Sequence, residues 1–311
     1  MTATAPRAAA ALLLIAGLAA GSPRAAWEAA APAPAASQAA ASVAQVHRFK
    51  IGDLDAWALL DGYAEFPNDN QVLGVGRTRE EVTGVLTAAG LPTDKFALSI
   101  QPLLVRSGKQ LVLFDAGAGA AFGPGAGKLP QSLRAAGIDP ATITDVAISH
   151  SHGDHVVGLV RADGALSFPN ARIHMAAAEW AFLRANPKMA ALAKAIAPKV
   201  APFQPRAQIA PGVTAVDLSG HTPGHSGYEV VSRGQRLLYV GDTMHHYVVS
   251  VQRPDWANGF DTDAPPAMAR RRATLARASD ENLLVYAVHF PFPGLGHVRR
   301  RGESFVWEPL R

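Results

Sequence analysis

The ten residues SHSHGDHVVG, at positions 149–158, constrain the fold of this chain more than any other stretch. They follow the run ITDVAI, whose apolar residues are typical of a buried strand. The side chains of His150, His152, Asp154 and His155 are therefore concentrated where that strand ends. Imidazole and carboxylate groups at this density indicate a site for zinc or a related divalent metal. The alternative is a polar loop whose histidines are solvated or hydrogen-bonded to the backbone.

The spacing within this motif predicts two metal positions. If the strand continues through His150 to His152, residues two apart point to the same face, so both imidazoles can reach one cation. Gly153 permits the chain to turn, and Asp154 and His155 can then face a second cation.

Three distant segments also end an apolar run in a residue that can bind metal. His221 lies in GHTPGHS, Asp242 ends LLYVGD and His289 ends LLVYAVH. A sheet that presents such groups from the ends of several strands is the arrangement expected of a rigid site. His225, four residues after His221, is expected to brace its loop through a hydrogen bond.

Composition narrows the class of protein. The chain has 311 residues, of which 49% are hydrophobic and 17% charged, so it is expected to be globular. It has no cysteine, which excludes disulfides, thiolate ligands and a nucleophilic thiol. A formal net charge of +4 makes no case for nucleic-acid binding. Two RRR runs, at 270–272 and 299–301, are each expected on a solvated helix face or turn.

The N-terminus predicts export. Arg7 precedes the apolar stretch Ala8–Ala20, which fits a signal peptide and is shorter than the roughly 20 residues that span a bilayer. We expect a signal peptide at 1–26 with an open cleavage point; an uncleaved anchor is the alternative. An Ala/Pro-rich linker at 27–45 would follow, and then one folded domain at 46–311. The expected location is periplasmic or secreted.

Strand-like and helix-like patterns alternate along the folded domain. Hairpins are predicted where two apolar runs flank a short turn, and longer segments with helical spacing separate them. This mixture predicts an α/β protein with two packed sheets and helices outside. The predicted strands lie at 46–51, 56–60, 99–105, 111–114, 143–148, 171–175, near 208, and at 213–218, 228–232, 236–240, 283–288 and 304–307, with helices near 79–88, 131–136, 176–197 and 265–277.

Together, HSHGDH, GHTPGHS, VGD and the single His289 resemble the motif set of the metallo-β-lactamase superfamily. The resemblance covers about residues 46–309 and implies a four-layer αββα sandwich. It implies that one metal is held by three histidines, a second by one aspartate and two histidines, and that one aspartate bridges them. In this sequence these are, in that order, His150, His152 and His221; Asp154, His155 and His289; and Asp242. Asp115, in FDAG, matches an aspartate that supports the site without binding metal.

Within that superfamily, the segments FDAGAGAAFGP, LSFPNA and HFPFPGLGHV resemble the branch that contains methyl parathion hydrolase and lactonase-like enzymes. The resemblance implies a substrate pocket walled by aromatic side chains. Phe122 matches the branch best, whereas the segment after Ala176 departs from it in detail. The candidates are Phe122, Trp180, Phe182, Phe290 and Phe292, and a place in the core is the alternative for the phenylalanines at 122, 290 and 292.

The ligand set implies metal-dependent hydrolysis. Two divalent cations, zinc first and manganese, cobalt or iron as alternatives, would activate a shared water, with Asp154 and Asp242 as the catalytic carboxylates. Two dications, two carboxylates and one hydroxide sum to about +1, which favours an uncharged ester, lactone or phosphotriester. The candidates for protonating the leaving group are His245, His246, Tyr247 and His297, and a supporting or packing role is the alternative for each. An aryl alkoxide leaving group would need no acid.

Other functions stay open at this point. A β-lactamase, a thioesterase of the glyoxalase II type and a nuclease share the superfamily, and a non-catalytic exported metal-binding protein belongs to a different class. Asp242 argues against the first, and about twenty residues after His289 leave no room for the C-terminal helical region of the second. A small molecule is the expected partner, with a homodimer left open; nucleic acid and stable membrane association after cleavage are not expected.

Overall fold

The computed structural model describes residues 45–310, so the predicted signal peptide and nearly all of the linker lie outside the described residues. The first half contains β1 (Val46–Ile51), β2 (Leu54–Leu59), β3 (Gly62–Pro67), β4 (Leu73–Val75), α1 (Arg79–Ala88), β5 (Lys95–Ile100), β6 (Leu103–Ser107), β7 (Gln110–Phe114), α2 (Leu129–Ala136), β8 (Asp145–Ala147) and α3 (Gly153–Val156). The second half contains β9 (Arg172–Ala176), α4 (Ala177–Ala185), α5 (Ala190–Ile196), β10 (Val200–Phe203), β11 (Gln208–Ala210), β12 (Val213–Asp217), β13 (Ser226–Ser232), β14 (Gln235–Tyr239), α6 (Val249–Gln252), β15 (Ala257–Asn258), α7 (Ala264–Asp280), β16 (Leu284–Tyr286), β17 (Leu295–Arg301) and β18 (Ser304–Pro309). Within 45–310, no helix has the length and apolar character needed to cross a membrane.

Two seven-stranded sheets form the body of the domain. Their strand orders are β1-β2-β6-β7-β8-β9-β10 and β11-β12-β13-β14-β16-β17-β18. Strands β7 to β10 run parallel in the first sheet, as do β14 and β16 in the second. Parallel neighbours bring the carboxyl ends of several strands to one edge of the sandwich. The predicted metal-binding motifs come directly after strands that end at this edge.

Side-chain alternation along the strands divides the core into layers. In β6, Leu103 and Val105 face the second sheet, whereas Leu104 faces the helices outside the first. The interior between the sheets is filled by aromatic residues such as Phe114 and Tyr239, whose rings stack with centroids 5.5 Å apart. Helices α2, α4 and α5 cover the first sheet and α7 covers the second. The predicted αββα sandwich is confirmed.

Helix α1 has the bounds predicted from sequence, because its start is fixed locally. The Thr78 hydroxyl accepts a hydrogen bond from the Glu81 amide at 3.2 Å, and the Glu81 carboxylate accepts one from the Thr78 amide at 2.8 Å. This capping box satisfies two amides that have no partner within the helix. Val82, Val85 and Leu86 then form its buried face.

Several strand predictions are wrong or incomplete. The single strand expected at 99–105 is broken at Gln101–Pro102, where proline offers no amide for a ladder. Its first part belongs to β5, which pairs with β3 in a separate two-stranded sheet. Strands β3, β4, β10, β15 and β17 were not predicted. In β17 the run 299–301 is the end of a strand, so the expected helix face or turn is wrong there too.

Candidate metal centre

The predicted metal-binding residues converge at one edge of the sandwich, from loops that follow β8, β12, β14 and β16. They form two groups, and within each group one ligating atom per residue lies within 4.8 Å of the others. The members are His150, His152, His221 and Asp242 in the first group, and Asp154, His155 and His289 in the second. Of these seven, six are buried and His152 is half-buried, so the site opens beside His152.

Asp242 lies between the two groups, with its carboxylate close to histidines of both. Its Oδ2 is 3.6 Å from the Nε2 atoms of both His150 and His221 in the first group, and 3.1 Å from His289 Nε2 in the second. Its Oδ1 is 3.1 Å from His155 Nε2 and 3.0 Å from His289 Nε2. A carboxylate in this position can contact a cation in each group, which is the geometry expected of a bridge.

The local structure of the central motif differs from the expected one. Strand β8 ends at Ala147, so His150 and His152 lie in a loop and not on a continuing strand. Gly153 is not a bend either, since it begins the short helix α3. The two imidazoles still lie close, with ring centroids 4.7 Å apart, because the loop and not the strand pleat orients them.

The donor atoms fit divalent cations. Within the described residues, the buried His150 Nε2, His155 Nε2 and Asp242 Oδ1 have no hydrogen-bond partner, although His155 Nε2 and Asp242 Oδ1 lie only 3.1 Å apart. Leaving a buried polar atom unpaired costs about 1–3 kcal/mol, and a cation at this point would remove that cost. The chemistry of the set, imidazole nitrogen with carboxylate oxygen, suits zinc, manganese, cobalt or iron.

Hydrogen bonds on the far side of each ring select the nitrogen that faces inward. The Nδ1 atoms of four histidines are already engaged, and a ligating histidine normally uses its second nitrogen in this way. The pairs are His150 with Ser149 Oγ at 3.0 Å, His155 with Asp115 at 2.7 Å, His221 with Asp261 at 2.8 Å and His289 with the Ser99 carbonyl at 2.7 Å.

Burial and neighbouring charge set the protonation of the site. Burial lowers the pKa of His150 well below its ordinary value and, with help from His221, lowers that of His152 to about 3, so both rings offer lone pairs. Burial opposes charge on His155 as well, but Asp242, Asp154 and Asp115 outweigh it and raise its pKa. Although burial opposes ionisation of Asp242, the histidines around it, His155 foremost, keep its pKa well below the ordinary value.

Asp115 anchors the first-sheet side of the site. It follows β7 with φ of 60°, in the left-handed region where non-glycine residues are uncommon. Its carboxylate accepts hydrogen bonds from the Ser149 amide at 2.6 Å, the Ser149 hydroxyl at 2.7 Å and the Tyr239 hydroxyl at 2.6 Å, and it contacts His155 Nδ1. Four contacts hold this uncommon backbone conformation and fix the start of the histidine motif.

His225 and Gly241 together orient Asp242. The Asp242 amide donates to His225 Nε2 at 3.0 Å, while His225 Nδ1 donates to the Leu218 carbonyl at 3.0 Å. Gly241 has φ of 48°, and a Cβ there would lie 2.5 Å from His225 Nε2. Glycine in the VGD motif therefore permits this close approach.

Three further residues that support the site were not singled out from the sequence. Glu179 and Asp261 contact the loops or rings of candidate ligands, and Arg271 contacts Asp261. No motif marks Glu179 or Asp261. The run at 270–272 was expected on a solvated face, but Arg271 is only 1% exposed, so that expectation is wrong for its central residue.

Among the four candidates for protonating a leaving group, His245 alone adjoins the metal centre. Its Nε2 is 3.2 Å from Asp242 Oδ2, and its ring stacks on His289 with centroids 5.6 Å apart. His246 Nδ1 accepts the amides of α6, Tyr247 packs against Phe290, and His297 Nδ1 contacts the Leu283 carbonyl. His245 is fully buried and, within the described residues, neither ring nitrogen has a hydrogen-bond partner.

The predicted pocket aromatics differ in burial and surroundings. Phe290 is completely buried in the outer core of the second sheet, where its ring meets Trp307 edge-on, which agrees with the core alternative for this residue. Phe292 packs against the core between the sheets. Trp180 packs outside the first sheet beneath Arg184, and Phe182 is half-buried on the same helix. Phe122 is partly buried against a small apolar cluster.

A family model described as the metallo-beta-lactamase superfamily matches residues 98–289, the span that holds all seven candidate ligands. The chain belongs to the metallo-β-lactamase superfamily. The resemblance drawn from its motifs is thus confirmed. No curated protein matches the sequence.

Solved structures of other superfamily members extend this result. AidC, a dizinc quorum-quenching lactonase solved with the product N-hexanoyl-L-homoserine, is 29% identical, with 87% of this chain and 99% of that chain covered and a TM-score of 0.82. The hydrolase AbOPH is 28% identical with the same coverage and a TM-score of 0.80. A quorum-quenching N-acyl homoserine lactone lactonase, 16% identical over 80% of this chain and all of that chain, shares the fold with a TM-score of 0.58. Family, fold and metal-binding groups make this chain a metal-dependent hydrolase of the superfamily.

Proposed function

We propose that the protein is a two-metal hydrolase that cleaves an uncharged ester, lactone or phosphotriester. The observation that carries this proposal is the position of Asp242, whose carboxylate lies within 3.6 Å of His150 in the first group of ligands and 3.0 Å of His289 in the second. Zinc is the first expectation for both positions. When bound, such a pair supplies an activated water and polarises the substrate oxygen.

The residues of the chain have distinct roles in this reaction. Asp242 fixes the separation of the two groups of ligands. Asp154, which lies on α3, contributes a carboxylate to the second group. Imidazoles bound to a metal are neutral ligands, so the loaded site would keep a net charge of about +1, which favours the negative charge that develops on a carbonyl or phosphoryl oxygen. Hydrolysis breaks the bond to the leaving oxygen, which must gain a proton unless it is stable as an anion.

A lactone is the substrate class that the comparisons favour. AidC, similar over nearly its whole length, is a lactonase with a homoserine product in its structure. An N-acyl homoserine lactone is uncharged, which is compatible with a site whose net charge is about +1. We also propose export to the periplasm or outside the cell, a prediction that rests on residues 1–26 alone, and we leave a homodimer open.

The test is turnover by protein stripped with chelator and reloaded with zinc, manganese or cobalt. We expect two metals per chain, hydrolysis of acyl-homoserine lactones, p-nitrophenyl esters or methyl parathion only in the reloaded form, and an unfolding temperature that rises on reloading. Binding at a hundredfold excess over Kd adds about 2.7 kcal/mol of stability per site. Two bound metals with no turnover of any of these substrates would favour the non-catalytic, metal-binding alternative.

His245 is expected to assist departure of the leaving group. Burial lowers its pKa to about 4, so near pH 7 its ring is neutral and carries one N–H that can be directed at a substrate oxygen. The neutral ring stabilises the leaving oxygen by a hydrogen bond, and the proton that this oxygen gains comes from the attacking water. His245→Ala should therefore lower kcat about 10²- to 10³-fold for a lactone or alkyl ester. For a p-nitrophenyl ester, kcat should fall much less, because the leaving oxygen is stable without a proton.

His297→Ala is the control for the preceding variant, because His297 contacts a backbone carbonyl on β17 away from the metal centre. Both substrates and metal content should be compared in parallel. Equal loss on the alkyl and the aryl ester would remove His245 from the leaving-group step.

A further inference from the structure

Glu179 is a completely buried acidic residue that the proposed reaction does not use directly. It lies on α4, and both of its carboxylate oxygens are engaged. Oε1 accepts from the Ser151 amide at 2.8 Å and from the Ser151 hydroxyl at 2.6 Å. Oε2 accepts from the Thr222 hydroxyl at 2.7 Å and from the Gly224 amide at 3.0 Å.

These four hydrogen bonds join the two loops that carry the first group of ligands. Ser151 lies between His150 and His152, in the loop that follows β8 of the first sheet. Thr222 and Gly224 follow His221, in the loop after β12 of the second sheet. Glu179 is therefore a link across the edge of the sandwich, with one oxygen on each loop.

The GHTPGHS loop packs directly against the start of α4. A Cβ at Gly224 would lie 2.2 Å from the Glu179 amide nitrogen, so no other residue fits without displacing the loop. A charged carboxylate that is removed from water needs full hydrogen bonding, and these four donors supply it. The distance between the loops is consequently held by strong, short contacts.

The second group of ligands has no such link to Glu179 among the described contacts. His155 is held by Asp115, and His289 by the Ser99 carbonyl. Asp154 and His155 lie on α3, beyond the Ser151 contact. A change at Glu179 should therefore act on one metal position and spare the other.

We propose that Glu179 is a positioning residue that sets the spacing of His150 and His152 from His221, and thereby the retention of metal in that position alone. The inference rests on the proposed two-metal function. Ligand positions set by hydrogen-bonded neighbours typically change metal affinity about 10- to 100-fold when the neighbour is altered. Glu179 would exert this effect on two loops at once.

The test is Glu179→Gln, which keeps the shape but presents N–H groups to donors that need an acceptor. We expect it to lose one of the two metals on dialysis and to bind that metal about 10- to 100-fold more weakly. In a His289→Ala background, where one metal remains, adding Glu179→Gln should remove it. Cobalt-loaded protein should show the corresponding change in its visible absorption spectrum.

Asp145→Asn is the matched control, because Asp145 is a buried carboxylate on β8 of the first sheet. Its partners, His174, Gln110 and Thr144, include no candidate ligand. It should keep two metals. Thr222→Val removes a single donor and should weaken the same position by a smaller factor, which keeps the idea testable if Glu179→Gln folds poorly.

The outcomes separate this inference from the proposed function. Wild-type protein that binds no metal would refute both. Wild-type protein with two metals and a Glu179→Gln or Thr222→Val variant that retains both with unchanged affinity would overturn the inference alone. Equal loss from both positions would also overturn it, since the role would then be general stability.

Discussion

Replacement of Asp242 by alanine is expected to abolish hydrolysis and to release at least one metal. This carboxylate lies near histidines of both groups, so its removal takes a ligand from both positions at once. Loss of one stabilising group in an active site alone costs about 10²- to 10³-fold in rate. Loss of the bridge should exceed that range, as measured by turnover and by metal content after dialysis.

Two control variants accompany Asp242→Ala. Asp242→Asn keeps the volume and one oxygen, so we expect it to retain more metal than Asp242→Ala. Asp217→Ala removes an exposed carboxylate that pairs with Arg270 and should leave activity unchanged. Near-normal turnover in Asp242→Ala with two metals bound would show that Asp242 does not bridge them.

The sequence predicts the layers of this fold well, because each layer has a local signature. The apolar run of β7 and the capping box at Thr78 arise from neighbouring residues, and both are visible in the chain. The prediction of one strand at 99–105 is wrong for the opposite reason. Its apolar run is continuous, and only the pairing of β5 with β3 shows that it serves two sheets.

The candidate ligands could be named from sequence because each terminates an apolar strand in a short motif. The supports Asp115 and His225 could be named as well, but Glu179 and Asp261 could not. Glu179 acts through contacts with residues 28 to 45 positions away and Asp261 through a contact 40 positions away, and nothing near them in the chain indicates this. Phe290 shows the same limit, since its apolar character fits the core and a pocket equally until Trp307 is placed against it.

Arg271 is the residue whose structural role differs most from the one expected from the sequence. It lies on α7 between Arg270, which is half-buried, and Arg272, which is exposed. Its own guanidinium is buried and donates to three backbone carbonyls. One of these belongs to Thr243, next to Asp242, and the others belong to Pro254 and Trp256. It also pairs with Asp261 at 3.0 Å, which in turn holds His221. One cation thus connects α7 to two candidate ligands.

Replacement of Arg271 by methionine is therefore expected to lower the free energy of unfolding by about 3–5 kcal/mol, because it leaves Asp261 as a buried charge without its cation. The carbonyls of Thr243, Pro254 and Trp256 would lose their donor as well. Arg272→Met is the matched control: Arg272 pairs with Asp255 at the surface, where an ion pair contributes at most about 1 kcal/mol. Denaturant unfolding of the metal-free proteins measures both. A loss below about 1 kcal/mol for Arg271→Met would mean that the α7 connection is dispensable, and Asp261 would then hold His221 without it.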